Sequence, residues 1–295
     1  MRLIVLPNLA PSGTLAYQWL DPSNTLRNLY GSSVNVEVGE RGLGVPTPDL
    51  AEDKLPFGSG TIVRHVAIAS REIELPLLFE AASAAVLEAL LDNVHGWFAT
   101  ADETTKTPGY LRVTRQDGTQ RQVACYYAGG LEGDLSSERA GDRWQSAVVL
   151  LKAADPWATD IADSTASWDQ TDIGDSVAIM NAGQLDAYPI WTITGPAAGI
   201  SILNETTQKS FALTADGGLT LTGGQVLAID TRRADQLTDL PVLVGGTSQF
   251  SKLTAASSLF TLLGGQNNFV ISASGTSGAT AFELAYRQRY RALLR

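Results

Sequence analysis

Apolar and polar residues alternate along much of this chain. Val34-Asn35-Val36-Glu37-Val38 is the cleanest case and predicts a half-buried strand, because successive strand side chains point to opposite faces. Runs at 62–69, 73–79, 110–114, 121–127 and 144–151 predict further strands. One stretch has a different period. Val86, Leu87, Leu90, Leu91, Val94 and Phe98 recur at spacings of three and four, which places them on one face of a helix over 83–97. Ser83 is its expected N-cap, and Gly96 stands where a left-handed C-terminal cap is wanted. Leu3 to Leu20, interrupted by Pro7, Pro11 and Gly13, predicts short strands with turns. Residues 39–60 hold Pro46, Pro48 and Pro56 with few contiguous apolar positions, and read as a long loop. Loops of that length usually have a use, and docking against a neighbouring subunit is one.

Beyond residue 177 no helical period returns. Short runs at 177–180, 190–194, 200–203, 211–214, 219–222, 226–230, 260–263, 268–272 and 281–290 predict a second β-rich region. Gly-Gly pairs beginning at 217, 223, 245 and 264 punctuate it, as turns needing positive φ do. Many short strands at this spacing indicate a β-sandwich or jelly roll. Between the two regions, Asp155-Pro156-Trp157 ends a predicted hairpin, since Pro156 interrupts a strand ladder. Residues 158–176 are rich in Asp, Ser, Thr and Ala and have little periodicity. The expected division is therefore a first domain at 1–156, a linker or domain entry at 157–176, and a second domain at 177–295. A chain of 295 residues suits two domains of about 150 each.

Composition narrows the chemistry. A formal net charge of −10 argues against a nucleic-acid-binding surface, which is normally basic. No apolar run approaches the roughly 18 residues of a membrane-spanning helix. The apolar stretch before Pro7 is short for a signal peptide, so assembly in a cytoplasm is expected. Cys125 is the only cysteine and alternates with Val123 and Tyr127, reading as a small buried hydrophobe rather than a metal ligand. The two histidines, His65 and His95, form no HExxH motif.

Several short patterns occur in one consistent order. Residues 125–157 run CYYAGGLEGDLSSERAGDRWQSAVVLLKAADPW, and 71–77 run Arg-Glu-Ile-Glu-Leu-Pro-Leu into the predicted helix. Asn181-Ala182-Gly183 precedes Tyr188-Pro189-Ile190-Trp191 and Gly195-Pro196. Asn204-Glu205-Thr206-Thr207, Ile229-Asp230-Thr231 and Gly264-Gly265-Gln266-Asn267-Asn268 follow. Together they resemble the distal tail (Dit) proteins of long, non-contractile-tailed phages, with Gly264-Gly265 standing where that family often has Pro-Gly. The resemblance implies a mainly β protein: an N-terminal β-sandwich or split-barrel ring domain with one α-helix, and a C-terminal galectin-like β-sandwich of jelly-roll type. It further implies a homohexameric virion hub at the distal end of the tail, with the tail tube protein and a tail-tip or tail-fibre protein as partners. DNA would pass through the ring without specific binding, for which an acidic protein is suited. No catalytic residue, cofactor or metal, and no membrane insertion, is expected.

The candidate site residues have plain readings beside sharper ones. Asp155, Asp160 and Asp163, and then Asp169, Asp172 and Asp175, lack the glycine and terminal glutamate of a calcium loop and read as a solvated face. Glu132 and Asp134 sit in one hairpin turn, which gives no set cleft for a glycosidase pair. Ser136-Ser137 has no histidine near it in sequence. Trp157, Trp168 and Trp191 suggest either a sugar platform, hence a carbohydrate-binding module as the alternative function, or burial of Trp191 in a core and of Trp157 at a domain junction. From Phe282 to Arg291, Phe282, Leu284, Tyr286 and Tyr290 alternate with Arg287, Arg289 and Arg291, either a basic docking stripe or a strand face kept soluble by arginine.

Overall fold

The computed structural model describes residues 15–55, 58–98, 107–132, 140–232 and 241–294. It divides into two compact units, Met1–Thr159 with Arg291–Arg295, and Asp160–Tyr290. Strands β1 (Ala16–Leu20), β2 (Leu26–Asn28), β3 (Val34–Val36), β4 (Pro48–Lys54), β5 (Thr61–Ile68) and β6 (Arg71–Glu80) precede helix α1 (Ala84–Phe98). Strands β7 (Gly109–Thr114), β8 (Gln120–Gly129), β9 (Ala140–Gly141), β10 (Trp144–Ala153) and β11 (Ala158–Asp160) follow it. The protein is mainly β, as its alternating pattern predicts.

The first unit is built on an antiparallel sheet in the order β2-β1-β7-β8-β10-β6-β3. Strands β6 and β10 pair without a break from Arg71↔Ala153 to Trp144↔Glu80. Alternation decides their faces: Ile73, Leu75, Leu77 and Phe79 point inward with Ala147, Val149, Leu151 and Ala153, all buried. Cys125 lies among them, and burial pushes its thiol up to about 12, so it is an inert core residue. The helix covers this sheet through Leu87, Val94 and Phe98. Phe98 stacks on Trp19 at 5.1 Å, and the Trp19 indole N–H donates to the Trp97 carbonyl at 2.7 Å. Gly109 lies against the Trp19 ring so closely that any side chain there would collide with it.

Some expectations are corrected here. Ser83 caps α1 as read, its hydroxyl accepting from Val86 N–H at 3.4 Å, but Gly96 lies inside the last turn and not in a left-handed cap. Val86 is exposed and Leu90 and Leu91 are half-buried, because the buried stripe runs through 87, 94 and 98. The predicted loop at 39–60 contains β4, paired antiparallel with β5 in a sheet of two strands. Pro48 opens that strand on an edge, where its missing N–H costs no ladder bond. Of the segment expected as short strands from Leu3 to Leu20, only the part from residue 15 onward is described, and it contains β1.

The second unit holds β12 (Ser164–Asp169), β13 (Ser176–Asn181), β14 (Ile190–Thr194), β15 (Ala197–Asn204), β16 (Lys209–Ala212) and β17 (Thr220–Leu221). It continues with β18 (Val226–Asp230), β19 (Val242–Val244), β20 (Thr247–Ser248), β21 (Gly265–Ser274), β22 (Ala281–Tyr286) and β23 (Arg289–Tyr290). One sheet runs β12-β22-β14-β18-β19-β20, and the other β13-β21-β15-β16 with β17 on β15. Trp191, Ile193, Leu227, Phe282 and Leu284 from the first share one core with Ile200, Ile202, Phe211, Phe269 and Ile271 from the second. Two sheets enclosing one core make a sandwich. Trp191 meets Phe269 edge-on at 5.6 Å, and Phe260 stacks on both Phe211 and Phe269. Each Gly-Gly pair contains a residue at positive φ, as the turn reading requires.

Residues 157–176 are not a bare connector. Ser164–Asp169 is an edge strand along β22, and Trp168 stacks on Trp191 at 5.8 Å. Its other residues are small or polar because an edge strand buries little, which is why the stretch reads as a linker. Residues 260–263 form no strand, only an isolated bridge between Ala187 and Leu262. Finally, 291–295 group with the first unit rather than with the region expected at 177–295.

Candidate functional site

The most unusual surface of the first unit is the β4–β5 pair. Leu50 stands opposite Val66 and Pro48 opposite Ile68, so the four share one face. That face is open: Leu50 is 45% exposed, Val66 55% and Ile68 40%. Ile62 and Val63, nearer the turn, are also exposed. Cross-strand polar contacts hold the pair together, Arg64 to Asp53 at 2.7 Å and the Thr61 hydroxyl to Glu52 at 2.8 Å. Surface ion pairs of this kind contribute at most about 1 kcal/mol. An isolated two-stranded ribbon is marginal in water, and aliphatic side chains facing solvent do not improve it. The arrangement suits docking against another protein. The sequence pointed to residues 39–60 but missed the hairpin; Gly58-Ser59-Gly60 before a β-branched run was the available signal.

Several of the carboxylates read as a solvated face also bond within the protein, while Asp163, Asp169 and Asp175 remain exposed. Asp163 pairs with Arg287 at 2.7 Å, and Asp160 accepts from the Tyr290 hydroxyl at 3.2 Å. Asp169 caps a short 3-10 turn, accepting from the Thr171 hydroxyl and N–H, while Asp172 accepts from Asp169 N–H. Those Thr171 bonds hold the Asp169 carboxyl below its ordinary range. Asp175 donates its N–H to the Asp172 carbonyl. Among the described residues no three His, Cys, Asp or Glu side chains converge as metal ligands. Glu132 accepts from Gly130 N–H and the Tyr127 hydroxyl, which serves the turn after β8. Asp134, Ser136 and Ser137 lie outside the described residues.

The aromatic and arginine candidates are likewise structural. Trp191 is wholly buried, and Trp168 lies half-buried on it, so Trp191 offers no ring to a sugar. Trp157 is half-buried in the first unit. The arginine stripe is interrupted: β22 ends at Tyr286, and Arg289 is buried with its guanidinium 4.9 Å over the Tyr188 ring. The asparagines of the ordered patterns staple turns. Asn181 donates to the Leu185 and Leu262 carbonyls and accepts from Gly183 N–H, and Asn267 both accepts from Leu263 N–H and donates to its carbonyl. Gly183 packs against the Arg289 backbone with no room for a side chain. Asn181, Gly183 and Asn267 therefore mark positions that fix turns of the fold.

Residues 182–290 match the family model for the C-terminal domain of siphovirus-type tail components, the SPP1 Dit family. Over those residues the chain is similar to the C-terminal domain of Dit proteins. Its fold also extends the likeness to the first unit. The crystal structure of phage SPP1 Dit, described as a paradigm of the hub adsorption apparatus in phages infecting Gram-positive bacteria, aligns with a TM-score of 0.63 at 11% identity. That alignment covers 92% of this chain and 98% of SPP1 Dit. Chains of the phage p2 baseplate in its activated conformation, with calcium and with strontium, align with TM-scores of 0.54 at 9% and 10% identity. These cover 93% and 94% of this Dit-like chain and 98% of each baseplate chain. No curated protein sequence matches.

Proposed function

We propose that this chain is a structural hub protein at the distal end of a siphophage tail, without enzymatic activity. In this reading the first unit closes a homohexameric ring and the second stands at the periphery as a galectin-like domain. The ring joins the tail tube protein to a tail-tip or tail-fibre protein, organises host adsorption, and leaves a passage for DNA. Assembly takes place in the host cytoplasm, before the particle is complete. The observation that carries the proposal is the family match over 182–290. The fold likeness to SPP1 Dit over both units supports it.

The β4–β5 hairpin supplies the contact between subunits. A ring uses head-to-tail contacts, so one surface of each subunit must fit a different surface of the next. The face formed by Pro48, Leu50, Val66 and Ile68 is the candidate for one of the two. Electron microscopy of assembled tails, or of the protein mixed with its tip partner, tests the hub. A sixfold ring at the tail end is expected, and strictly monomeric density there would overturn it. If rings still form after residues 48–68 are replaced by a short turn, only the role of the hairpin is lost.

A further inference from the structure

The first unit is discontinuous in sequence, because the whole second unit lies between Thr159 and Arg291. The segment 291–294 then packs into the first unit. Ala292 and Leu293 are buried, Leu293 completely, and the Leu293 N–H donates to the Leu43 carbonyl at 3.0 Å. Three arginines from the first unit bind the carbonyls of this segment. Arg71, at the start of β6, donates to the Arg291 carbonyl at 2.8 Å, and Arg121, in β8, to the Ala292 carbonyl at 2.8 Å. Arg115 donates to the Leu294 carbonyl at 3.4 Å.

Arg71 and Arg121 are only 3% and 7% exposed. A buried guanidinium is costly unless its donors find acceptors, and burial weakens the hold of Arg71 on its proton. The Arg71 side chain also reaches the Gly42 carbonyl at 3.2 Å, while its Nε has no hydrogen-bond partner among the described residues. Without 291–294, Arg71 would lose the Arg291 carbonyl as an acceptor. The Leu43 carbonyl would lose its bond from the Leu293 N–H at the same time.

We infer that residues 291–294 are a strap that completes the first unit, so that this unit cannot reach its native packing until the second has been made. The strap thereby makes the first unit a check on synthesis: a chain interrupted anywhere in 160–290 lacks a finished first unit. This inference concerns folding and does not depend on the hub reading. A chain can be strapped in this way whether or not it forms rings.

Amide exchange in the full chain tests it. The Leu293 amide should exchange as slowly as the central amides of β6, because both open only when the unit does. Deleting 291–295 should speed exchange in β6 and β8 by about a hundredfold or more while leaving β14 and β22 unchanged. The milder Leu293→Ala variant, which keeps the backbone bonds, should give an increase of about tenfold or more in the same strands. Fast exchange at Leu293 in the unaltered chain would overturn the strap. Unchanged protection in the first unit after deletion, or equal loss in both units, would do the same.

Discussion

Two antiparallel strand pairs of the first unit are close in sequence and opposite in environment. In β6 and β10, every second residue is buried, and Ile73, Leu75, Leu77 and Phe79 are sealed between sheet and helix. In β4 and β5 almost every residue is exposed, although Leu50, Ile62, Val63, Val66 and Ile68 are as apolar as their counterparts. The difference teaches that apolar content alone does not locate a core. What matters is whether a second layer of the same chain lies over the apolar face. Helix α1 covers β6; among the described residues no element of the first unit covers the hairpin face. The subunit contact proposed above would supply the missing cover.

The comparison breaks if the hairpin is dispensable for assembly. Leu50→Asp combined with Val66→Asp would place two charges in the proposed interface, where burial of unpaired carboxylates is strongly unfavourable. Ring formation, scored by electron microscopy or by mass in solution with the tip partner, should be lost. Stability of the isolated chain should change by no more than about 0.5 kcal/mol, as for other exposed positions. Normal rings from this variant would remove the hairpin from the interface.

The covered pair should respond in the opposite way. Phe79→Ala should destabilise the first unit by about 3–5 kcal/mol, and Leu75→Ala by about 2–5 kcal/mol, through lost burial and residual cavities. Leu50→Ala should cost within about 0.5 kcal/mol in the isolated chain. Denaturant unfolding, followed by amide exchange to separate the two units, gives these values. Similar losses for Leu50 and Leu75 would mean that the hairpin is part of a core after all.

The same logic divides the helix. Leu87→Ala removes a buried side chain and should cost about 2–5 kcal/mol, while Val86→Ala, on the exposed side, should stay within about 0.5 kcal/mol. Their sequence spacing does not separate them, since both fall on the apolar stripe read from the pattern. Only the packing of α1 against β6 and Trp19 does so.

Legibility followed burial. Strands with one sealed face, such as 73–79 and 190–194, announce themselves by alternation, and helix α1 by its spacings of three and four. Several elements that bury little were missed, although the exposed β5 was legible from its β-branched run. Strand β12 is an edge made of Ser, Thr and Ala with a single large side chain, Trp168, so it resembles a linker. Strand β4 begins at a proline and has no sealed face. The strap at 291–294 looks like the tail of the preceding strand, because nothing local reveals that Arg71 and Arg121, far back in the chain, bind its carbonyls. The candidate surface was legible as a region, through its prolines and length, but its hairpin form depends on pairing with β5. The ordered motif of the second unit was legible because turns stapled by Asn181 and Asn267 need those residue types at those places.

The smallest loss expected from removing an interaction concerns how a hairpin is closed. The β1–β2 turn is held by Asp21, which is buried and accepts from the Ser23 hydroxyl at 2.6 Å, Thr25 N–H at 2.8 Å and Arg27 at 3.1 Å. Burial alone would raise the Asp21 carboxyl, but the bonds from Ser23, Thr25 and Arg27 outweigh it and hold the group below its ordinary value. No comparable carboxylate is described at the β4–β5 turn, where Leu55 N–H reaches the Gly60 carbonyl at 3.5 Å. With a folded pKa below the unfolded one, Asp21 contributes stability that is fully present above the unfolded value, about 4. As pH falls, the unfolded chain takes up the proton first, and the contribution disappears as pH passes down through the folded pKa. Asp21→Asn should therefore lower protection of β1 and β2 at pH 7 by about 1 kcal/mol or less, with the gap to the unaltered chain closing below about pH 4. Amide exchange and denaturation at a series of pH values measure both. A gap that stays constant down to pH 3 would mean that the carboxyl acts through shape alone. A gap of the same size at β4 and β5 would mean that the two hairpins are coupled, against the separation drawn between them.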